Sequence, residues 1–164
     1  MAAPEVRRPM KIKVLGLGND LLADDGIGYL AVAALEPRLA GRADVEATAI
    51  HGLALLDLLA GYDAAVVLDA VCTGARPVGE VYEIAPASLA RIESPSPHFA
   101  GFPEMLDLAD RLGLRFPRKL RIIAVEVLDP WTIGGAMTPA VRDALPELCE
   151  RAERVVGELE AEAD

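Results

Sequence analysis

The sequence is poor in the residues that several common classes of protein require. Its two cysteines, Cys72 and Cys149, lie far apart and without neighbours at metal-ligand spacing, so we expect neither a disulfide framework nor a thiolate zinc site. No apolar run is long enough to span a bilayer, and no N-terminal stretch has the pattern of a secretory signal. These absences predict a reduced, cytoplasmic protein that is not inserted into a membrane.

Positive charge is also scarce. The chain has 26 acidic and 16 basic residues, a formal net charge of −10, which argues against nucleic acid and anionic membranes as partners because both are negatively charged. Aromatic residues make up 4% of the chain and apolar residues 52%. The core must therefore consist mostly of Ala, Val, Leu and Ile.

The length of 164 residues suits one domain, which would bury about 70% of its unfolded surface. We expect residues 1–10 to form a flexible N-terminus, because this stretch is polar, and residues 11–160 to form a single α/β domain. No internal repeat or linker divides the chain.

Strand and helix patterns alternate along this domain. Continuous apolar runs, typical of strands buried on both faces, occupy residues 11–17, 64–70 and 120–127, and alternating runs typical of edge strands occupy residues 45–50 and 79–84. Helical spacing occurs at residues 27–39, 53–59 and 102–112 and again after Thr138. The pattern predicts a three-layer α/β/α fold.

Prolines mark several boundaries within this pattern. Pro37 should disturb the first helix near its end, and Pro146 should kink or divide the last one. Residues 86–92 can form a helical turn with proline at its first position, and residues 94–97 a stiff loop. Thr138 can cap the helix that follows it.

The most informative segment is the glycine-rich stretch from Gly16 to Gly28, between the first strand and the first helix. It carries two adjacent carboxylates, Asp24 and Asp25. In an open α/β sheet this turn lies at the carboxyl edge of the strands, where ligand sites form.

Two further polar residues occupy comparable positions. Asp69 closes the apolar run of residues 65–68, and His98 follows the proline-rich loop. Aspartate and histidine from three segments can hold a divalent metal ion, since zinc and nickel accept oxygen and nitrogen ligands. Taken together, these segments predict a metal site.

Each residue also has a purely structural explanation. Asp24 and Asp25 can act as acids of a first helical turn, Asp69 can bond to the next loop, and His98 can be a half-buried imidazole.

Other chemistries fit the sequence less well. The third glycine of a dinucleotide-binding fingerprint would fall at position 21, which is Leu21, and an acidic loop would repel a pyrophosphate. Neither Ser nor Cys lies in a Gly-x-Ser-x-Gly elbow. Cys72, three residues past Asp69, is more typical of packing than of a nucleophile.

At these residues the chain resembles the hydrogenase maturation endopeptidases, from about residue 12 to residue 157. The resemblance is carried by Gly16-x-Gly18-Asn19-x-x-x-x-Asp24-Asp25-Gly26-x-Gly28, Val-Val-Leu-Asp69-Ala, Ser96-Pro97-His98, Arg118-Lys119-Leu120 and Thr138-Pro139-Ala140-Val141. Members of that family remove a C-terminal peptide from the large subunit of nickel–iron hydrogenases.

The resemblance implies an aspartate- or metal-type endopeptidase whose partner is a hydrogenase large-subunit precursor. It implies metal contact by Asp25, Asp69 and His98, the metal being the precursor's own nickel; zinc or cadmium could substitute in the free site. It also implies a mostly parallel five-stranded mixed sheet with one antiparallel strand, as in phosphorylase- and hydrolase-like folds.

The chain differs from the family pattern at two places. The first ligand is often Glu in the family and is Asp25 here. An Asp-Gly-Gly-Thr-x-Gly run usually follows the second strand, whereas this chain has His51 and Gly52 within residues 50–55. His51 is a candidate fourth ligand or substrate contact, and its alternative is an exposed loop histidine.

Amide hydrolysis would need a base or an orienting group, and Asp24 is the nearest spare carboxylate. Two other functional classes remain open: a non-catalytic nickel-sensing or chaperone module of this fold, and a small-molecule hydrolase or nucleoside-processing enzyme on a similar sheet.

Overall fold

The computed structural model describes residues 8–90 and 96–162. Within these ranges the strands are β1 (Ile12–Leu17), β2 (Asp44–Thr48), β3 (Ala64–Val71), β4 (Val81–Ile84) and β5 (Lys119–Glu126). The α-helices are α1 (Ile27–Leu35), α2 (Leu55–Leu59), α3 (Phe102–Arg111), α4 (Pro139–Asp143) and α5 (Leu145–Ala161). Most of the expected flexible N-terminus, residues 1–7, lies outside the described residues, as do residues 91–95 of the predicted turn and loop.

The strands form one sheet in the order β2-β1-β3-β5-β4. β1 pairs in parallel with β2 and β3, and β3 pairs in parallel with β5, whereas β4 runs antiparallel to β5. β1 and β3 are buried along their whole length, because neighbouring strands flank them and helices cover both faces. The prediction of a five-stranded mixed sheet with one antiparallel edge strand is confirmed.

Two apolar cores lie on opposite faces of the sheet. On one face α1 and α5 pack with residues such as Ile27, Leu35 and Val155. On the other face α2 and α3 contribute residues such as Leu59 and Phe102. This arrangement confirms the three-layer α/β/α fold.

Two prolines set helix boundaries. Helix α1 ends at Leu35, earlier than the expected residue 39, because Pro37 has no N–H to continue the hydrogen-bond ladder. Pro146 lies in the first turn of α5, and α4 ends just before it at Asp143. The last predicted helix is therefore divided, as expected.

Several connections are shorter or tighter than predicted. Strand β2 ends at Thr48 rather than residue 50, and the hydroxyl oxygen of Thr48 accepts a hydrogen bond from the backbone of Ile50 at 3.1 Å, which turns the chain out of the sheet. The segment before α2 begins as a 3-10 turn (Gly52–Ala54), and β4 begins at Val81. The turn after β4 is 3-10 over Pro86–Ala90.

The loop that follows β5 folds onto the loop that follows β1. The backbone N–H groups of Ala23 and Asp24 donate to the carbonyl oxygens of Thr132 and Asp129, at 3.0 and 2.9 Å. This contact builds the carboxyl edge of the sheet, where the candidate site lies. None of the helices in the described residues could span a lipid bilayer.

Candidate functional site

Asp25 lies in a 3-10 turn (Asp24–Gly26) between β1 and α1. The backbone N–H of Asn19 donates to Oδ2 of Asp25 at 2.8 Å, so the preceding loop folds back onto this carboxylate. Gly18 makes that fold possible: its φ is +147°, and a Cβ at this position would lie 2.1 Å from the carbonyl oxygen of Asp25. Only glycine fits so close to another backbone.

Asp69 lies near the carboxyl end of the central strand β3, paired with Ala124 of β5. Its side chain shares a face of the sheet with Val67 and Val71, because side chains alternate along a strand. The residue is 1% exposed. Among the described residues neither carboxylate oxygen has a hydrogen-bond partner of ordinary geometry. Burying a charged group in this way is energetically unfavourable.

The environment of Asp69 changes its protonation. Burial raises the pKa of Asp69 to about 7. The charge of His98, the Ser96 hydroxyl and the backbone N–H of Ala70 oppose this shift, and the negative charge of Asp25 reinforces it. Near neutral pH this carboxyl group therefore has a strong tendency to take up a proton or a cation.

His98 lies in a 3-10 turn (Pro97–Phe99), and the Ser96 hydroxyl oxygen accepts from its backbone N–H at 3.3 Å. Phe99 anchors this turn in the core, with its ring edge-on to Phe102 at 5.7 Å between centroids. The turn thereby holds an imidazole at the sheet edge.

The imidazole of His98 faces Asp25. Its Nε2 lies 3.3 and 3.4 Å from the two Asp25 carboxylate oxygens. Burial alone would lower the pKa of His98, but the hydrogen bond to Asp25 and the charges of Asp69 and Asp25 outweigh that effect, so the pKa is raised. Nδ1 is buried without a hydrogen-bond partner among the described residues.

Asp25, Asp69 and His98 form one compact group, hereafter the carboxylate–imidazole group. One ligand atom from each lies within 4.8 Å of the others, and all three residues are buried. Ligand atoms at about 2.0–2.2 Å from one ion lie roughly 3–4 Å from one another. Small side-chain movements would therefore bring all three atoms within bonding distance of a single ion. Two carboxylates and one imidazole suit a divalent ion such as zinc or nickel.

A cavity of about 220 Å³ opens onto this group. Asp25 and His98 contribute to its wall, together with Asn19, Leu22, Ala49, His51, Pro97, Pro130 and Trp131. The cavity is large enough for a short part of a substrate, and most of its walls are apolar.

Asp24 is not part of the carboxylate–imidazole group. It is fully buried. Its Oδ1 accepts from the backbone of Thr138 at 2.6 Å, and its Oδ2 accepts from the Thr138 hydroxyl at 2.8 Å and from the backbones of Leu128 and Asp129 at 3.1 and 2.8 Å. The expectation of a spare carboxylate is therefore wrong, because four donors already occupy Asp24. Thr138 correspondingly uses its hydroxyl on Asp24 and makes no side-chain cap for α4.

His51 lies at the same sheet edge, in the loop between β2 and α2. It is exposed, lines the cavity, and its ring centroid lies 6.4 Å from that of His98. His51 therefore lies at the sheet edge at which its position after β2 predicted it, although it does not belong to the compact group.

Sequence reasoning missed Trp131. This residue is 64% exposed and lines the cavity from the loop that follows β5. It is the single tryptophan of the chain, and a large aromatic residue in a glycine-containing loop at the carboxyl edge of the sheet is a signal of a contact surface.

Fold and group together define an α/β protein with a polar site at the carboxyl ends of parallel strands. Residues 48–155 match the family model described as hydrogenase maturation protease. The hydrogenase expression/formation protein HupD of Rhizobium leguminosarum bv. viciae is 34% identical over 152 residues, which covers 89% of this chain and 74% of the relative. The hydrogenase 2 maturation protease of Escherichia coli (strain K12) is 31% identical over 152 residues, covering 86% and 92%.

A solved structure agrees with this assignment. The hydrogenase maturating endopeptidase HybD from E. coli superposes with a TM-score of 0.75 at 29% identity, covering 91% of this chain and 93% of that one. The chain belongs to the hydrogenase maturation protease family. The resemblance drawn from its sequence is thereby confirmed.

Proposed function

We propose that the protein is a cytoplasmic endopeptidase that removes the C-terminal extension of a nickel–iron hydrogenase large-subunit precursor. The observation that carries the proposal is the convergence of Asp25, Asp69 and His98 within 4.8 Å, beside a cavity that Asp25 and His98 line. Membership of the family indicates the class of reaction, and the carboxylate–imidazole group provides the side chains that would carry it out.

The carboxylate–imidazole group fits a divalent cation because Asp69 buries two carboxylate oxygens that have no ordinary hydrogen-bond partner in the described part of the chain. We infer that Asp25, Asp69 and His98 bind nickel that the precursor carries as part of the substrate, and that zinc or cadmium can occupy the same residues in the free protein. A bound divalent cation supplies Lewis acidity, which polarises an amide carbonyl. Nickel is the expected partner because borderline metals accept this mixed oxygen and nitrogen donor set.

The residues of the chain provide position and electrostatics for hydrolysis. Asn19 orients Asp25 through its backbone N–H, and Asp25 in turn orients the His98 ring. Pro97, Pro130 and Trp131 contribute to the mostly apolar wall of the cavity. In the overall reaction the oxygen of water bonds to the scissile carbonyl carbon, the C–N bond breaks, and the leaving amine takes a proton.

Two forms of the precursor test this proposal. A nickel-loaded and a nickel-free large-subunit precursor are incubated with the protein, and the mass of the large subunit is measured. We expect shortening of the nickel-loaded form only, and loss of shortening in a His98→Ala variant that remains folded. Cleavage of the nickel-free form at an equal rate would remove nickel recognition from the proposal.

The loop at residues 50–55 differs from the family pattern, so the experiment also has to test one alternative function. If the protein binds a nickel-loaded precursor but cleaves none, it is a non-catalytic nickel-sensing or chaperone module. Association by size-exclusion chromatography and mass measurement on the same samples separate the two functions.

A further inference from the structure

A second histidine stands beside the carboxylate–imidazole group. The ring of His51 is exposed to the cavity, and its plane makes an angle of 70° with that of His98 at a centroid distance of 6.4 Å. Asp25, Asp69 and His98 are all buried, so His51 approaches the group from the solvent side.

Backbone packing fixes this position. Gly52 has a φ of +63°, and a Cβ there would lie 2.5 Å from the carbonyl oxygen of Ala100. From the other side, a Cβ on Gly101 would lie 3.6 Å from the Cα of Gly52. The loop that carries His51 therefore packs directly against the loop that carries His98, and the two imidazoles are held beside each other.

The other polar side chains of the cavity wall are already engaged. Oδ1 of Asn19 accepts from the backbone of Leu21 at 3.0 Å, and Asp25 accepts from Asn19 and contacts His98. Within the described part of the chain, the ring of His51 makes an edge contact with His98 and has no hydrogen bond to a protein group. Its ring nitrogens are available to a ligand in the cavity.

We propose that His51 is the fourth protein ligand of the cation that Asp25, Asp69 and His98 bind. The inference rests on the metal recognition in the proposed function. Two imidazoles on one ion, each bonded at about 2.0–2.1 Å, place their ring centroids roughly 5–6 Å apart, so the observed 6.4 Å requires only a small rotation of the exposed ring. The completed set has two nitrogen and two oxygen donors, which suits zinc, cadmium and nickel.

The two histidines make a direct test possible, because the chain contains no others. An untagged, isotope-labelled protein is titrated with cadmium, which is diamagnetic, and both imidazole rings are followed in a long-range proton–nitrogen NMR spectrum. We expect a ring nitrogen of His51 and one of His98 to shift together and to show scalar coupling to cadmium. Calorimetry on His51→Ala is expected to give an affinity at least about tenfold weaker, since changes even outside the direct ligands cost that much.

A matched control comes from the same loop. Leu53 is also exposed, so Leu53→Ala should leave cadmium affinity unchanged. If only His98 responds to cadmium and His51→Ala binds it normally, the fourth-ligand assignment is overturned, and nickel-dependent cleavage by the same variant would show that the proposed function stands. If neither ring responds at millimolar cadmium, the cation site fails as well. Normal cadmium binding with lost cleavage in His51→Ala would also overturn the assignment, because His51 would then act on the peptide.

Discussion

The carboxylates of Asp24 and Asp25 are adjacent in sequence but have different partners in the structure. Asp24 accepts four hydrogen bonds from the segment that follows β5, including two from Thr138. Asp25 lies 3.3 Å from Nε2 of His98. The two residues share one 3-10 turn. Its Asp24 carboxylate joins the loop that follows β1 to the loop that follows β5, and its Asp25 carboxylate faces the cavity.

This division gives the first prediction, which concerns stability. Asp24→Asn replaces a charged acceptor by an amide that has one oxygen and brings its own N–H groups against backbone donors. We expect the free energy of unfolding to fall by about 2–4 kcal/mol, measured by urea denaturation. Thr138→Ser keeps the hydroxyl and is the control; it should change stability by less than about 1 kcal/mol. Unchanged stability of Asp24→Asn would contradict the structural role.

The second prediction concerns Asp69, where the same type of substitution should have the opposite effect. Asp69→Asn in metal-free protein removes a buried charge that has no ordinary hydrogen-bond partner within residues 8–90 and 96–162. We expect the variant to gain on the order of 1–3 kcal/mol of stability at pH 8 and to lose precursor cleavage. A destabilised variant would show that the carboxylate is well satisfied.

The pH dependence of this gain follows from the pKa of Asp69, which burial raises to about 7. At pH values well below about 4 the carboxyl group is protonated in both the folded and the unfolded chain. As the pH rises to about 7 the unfolded chain ionises first, so the wild-type protein loses stability over this window. The advantage of Asp69→Asn should therefore be small at pH 4.5 and full at pH 8, as equilibrium unfolding at the two pH values would show.

The third prediction concerns Gly18, which lies too close to the backbone of Asp25 to carry a side chain. Gly18→Ala should move Asp25 away from His98 and reduce precursor cleavage by about tenfold to a hundredfold, since displacements near 1 Å have such effects. Gly41→Ala is the matched control, because Gly41 also has a positive φ but open space around it. Equal cleavage by the two variants would mean that the loop tolerates the extra methyl group.

The sequence was sufficient to predict the layers and the sheet, because continuous apolar runs such as β3 distinguish central strands from the alternating edge strands. It also predicted that Asp25, Asp69 and His98 lie together. Asp25 and Asp69 follow parallel strands, whose carboxyl ends share one edge of the sheet. His98 lies instead in a proline-rich loop, and its place beside them was expected from its residue type and from the family resemblance. The partners of Asp24 were not predictable. They lie more than a hundred residues away, in the segment that follows β5. Local sequence periodicity does not indicate which loops pack against each other.

The position of Trp131 is a further case of a long-range contact that periodicity does not record. The loop of Trp131 reaches the cavity through an isolated bridge between Leu22 and Ile133 and a hydrogen bond from Gly134 to the carbonyl oxygen of Leu21. Such contacts depend on how one loop packs against another. Sequence patterns specify strands and helices more reliably than loop packing.

Trp131 gives the last prediction, which concerns how the precursor binds. The residue is 64% exposed beside the cavity, and Leu21, Leu128 and Ile133 are exposed in the same pair of loops. Exposed apolar side chains next to a site are typical of protein contacts, and truncating a large aromatic contact commonly costs about 1–2 kcal/mol of binding. Trp131→Ala should therefore raise the KM for a nickel-loaded precursor by about fivefold to thirtyfold, with kcat and stability nearly unchanged, because the residue touches the substrate surface and not the carboxylate–imidazole group.

Leu112→Ala is the control. Leu112 is 61% exposed and directly follows α3. Its neighbour Gly113 lines a separate cavity together with Asp63, at the opposite edge of the sheet. A lower kcat at unchanged KM would instead assign Trp131 to the chemical step.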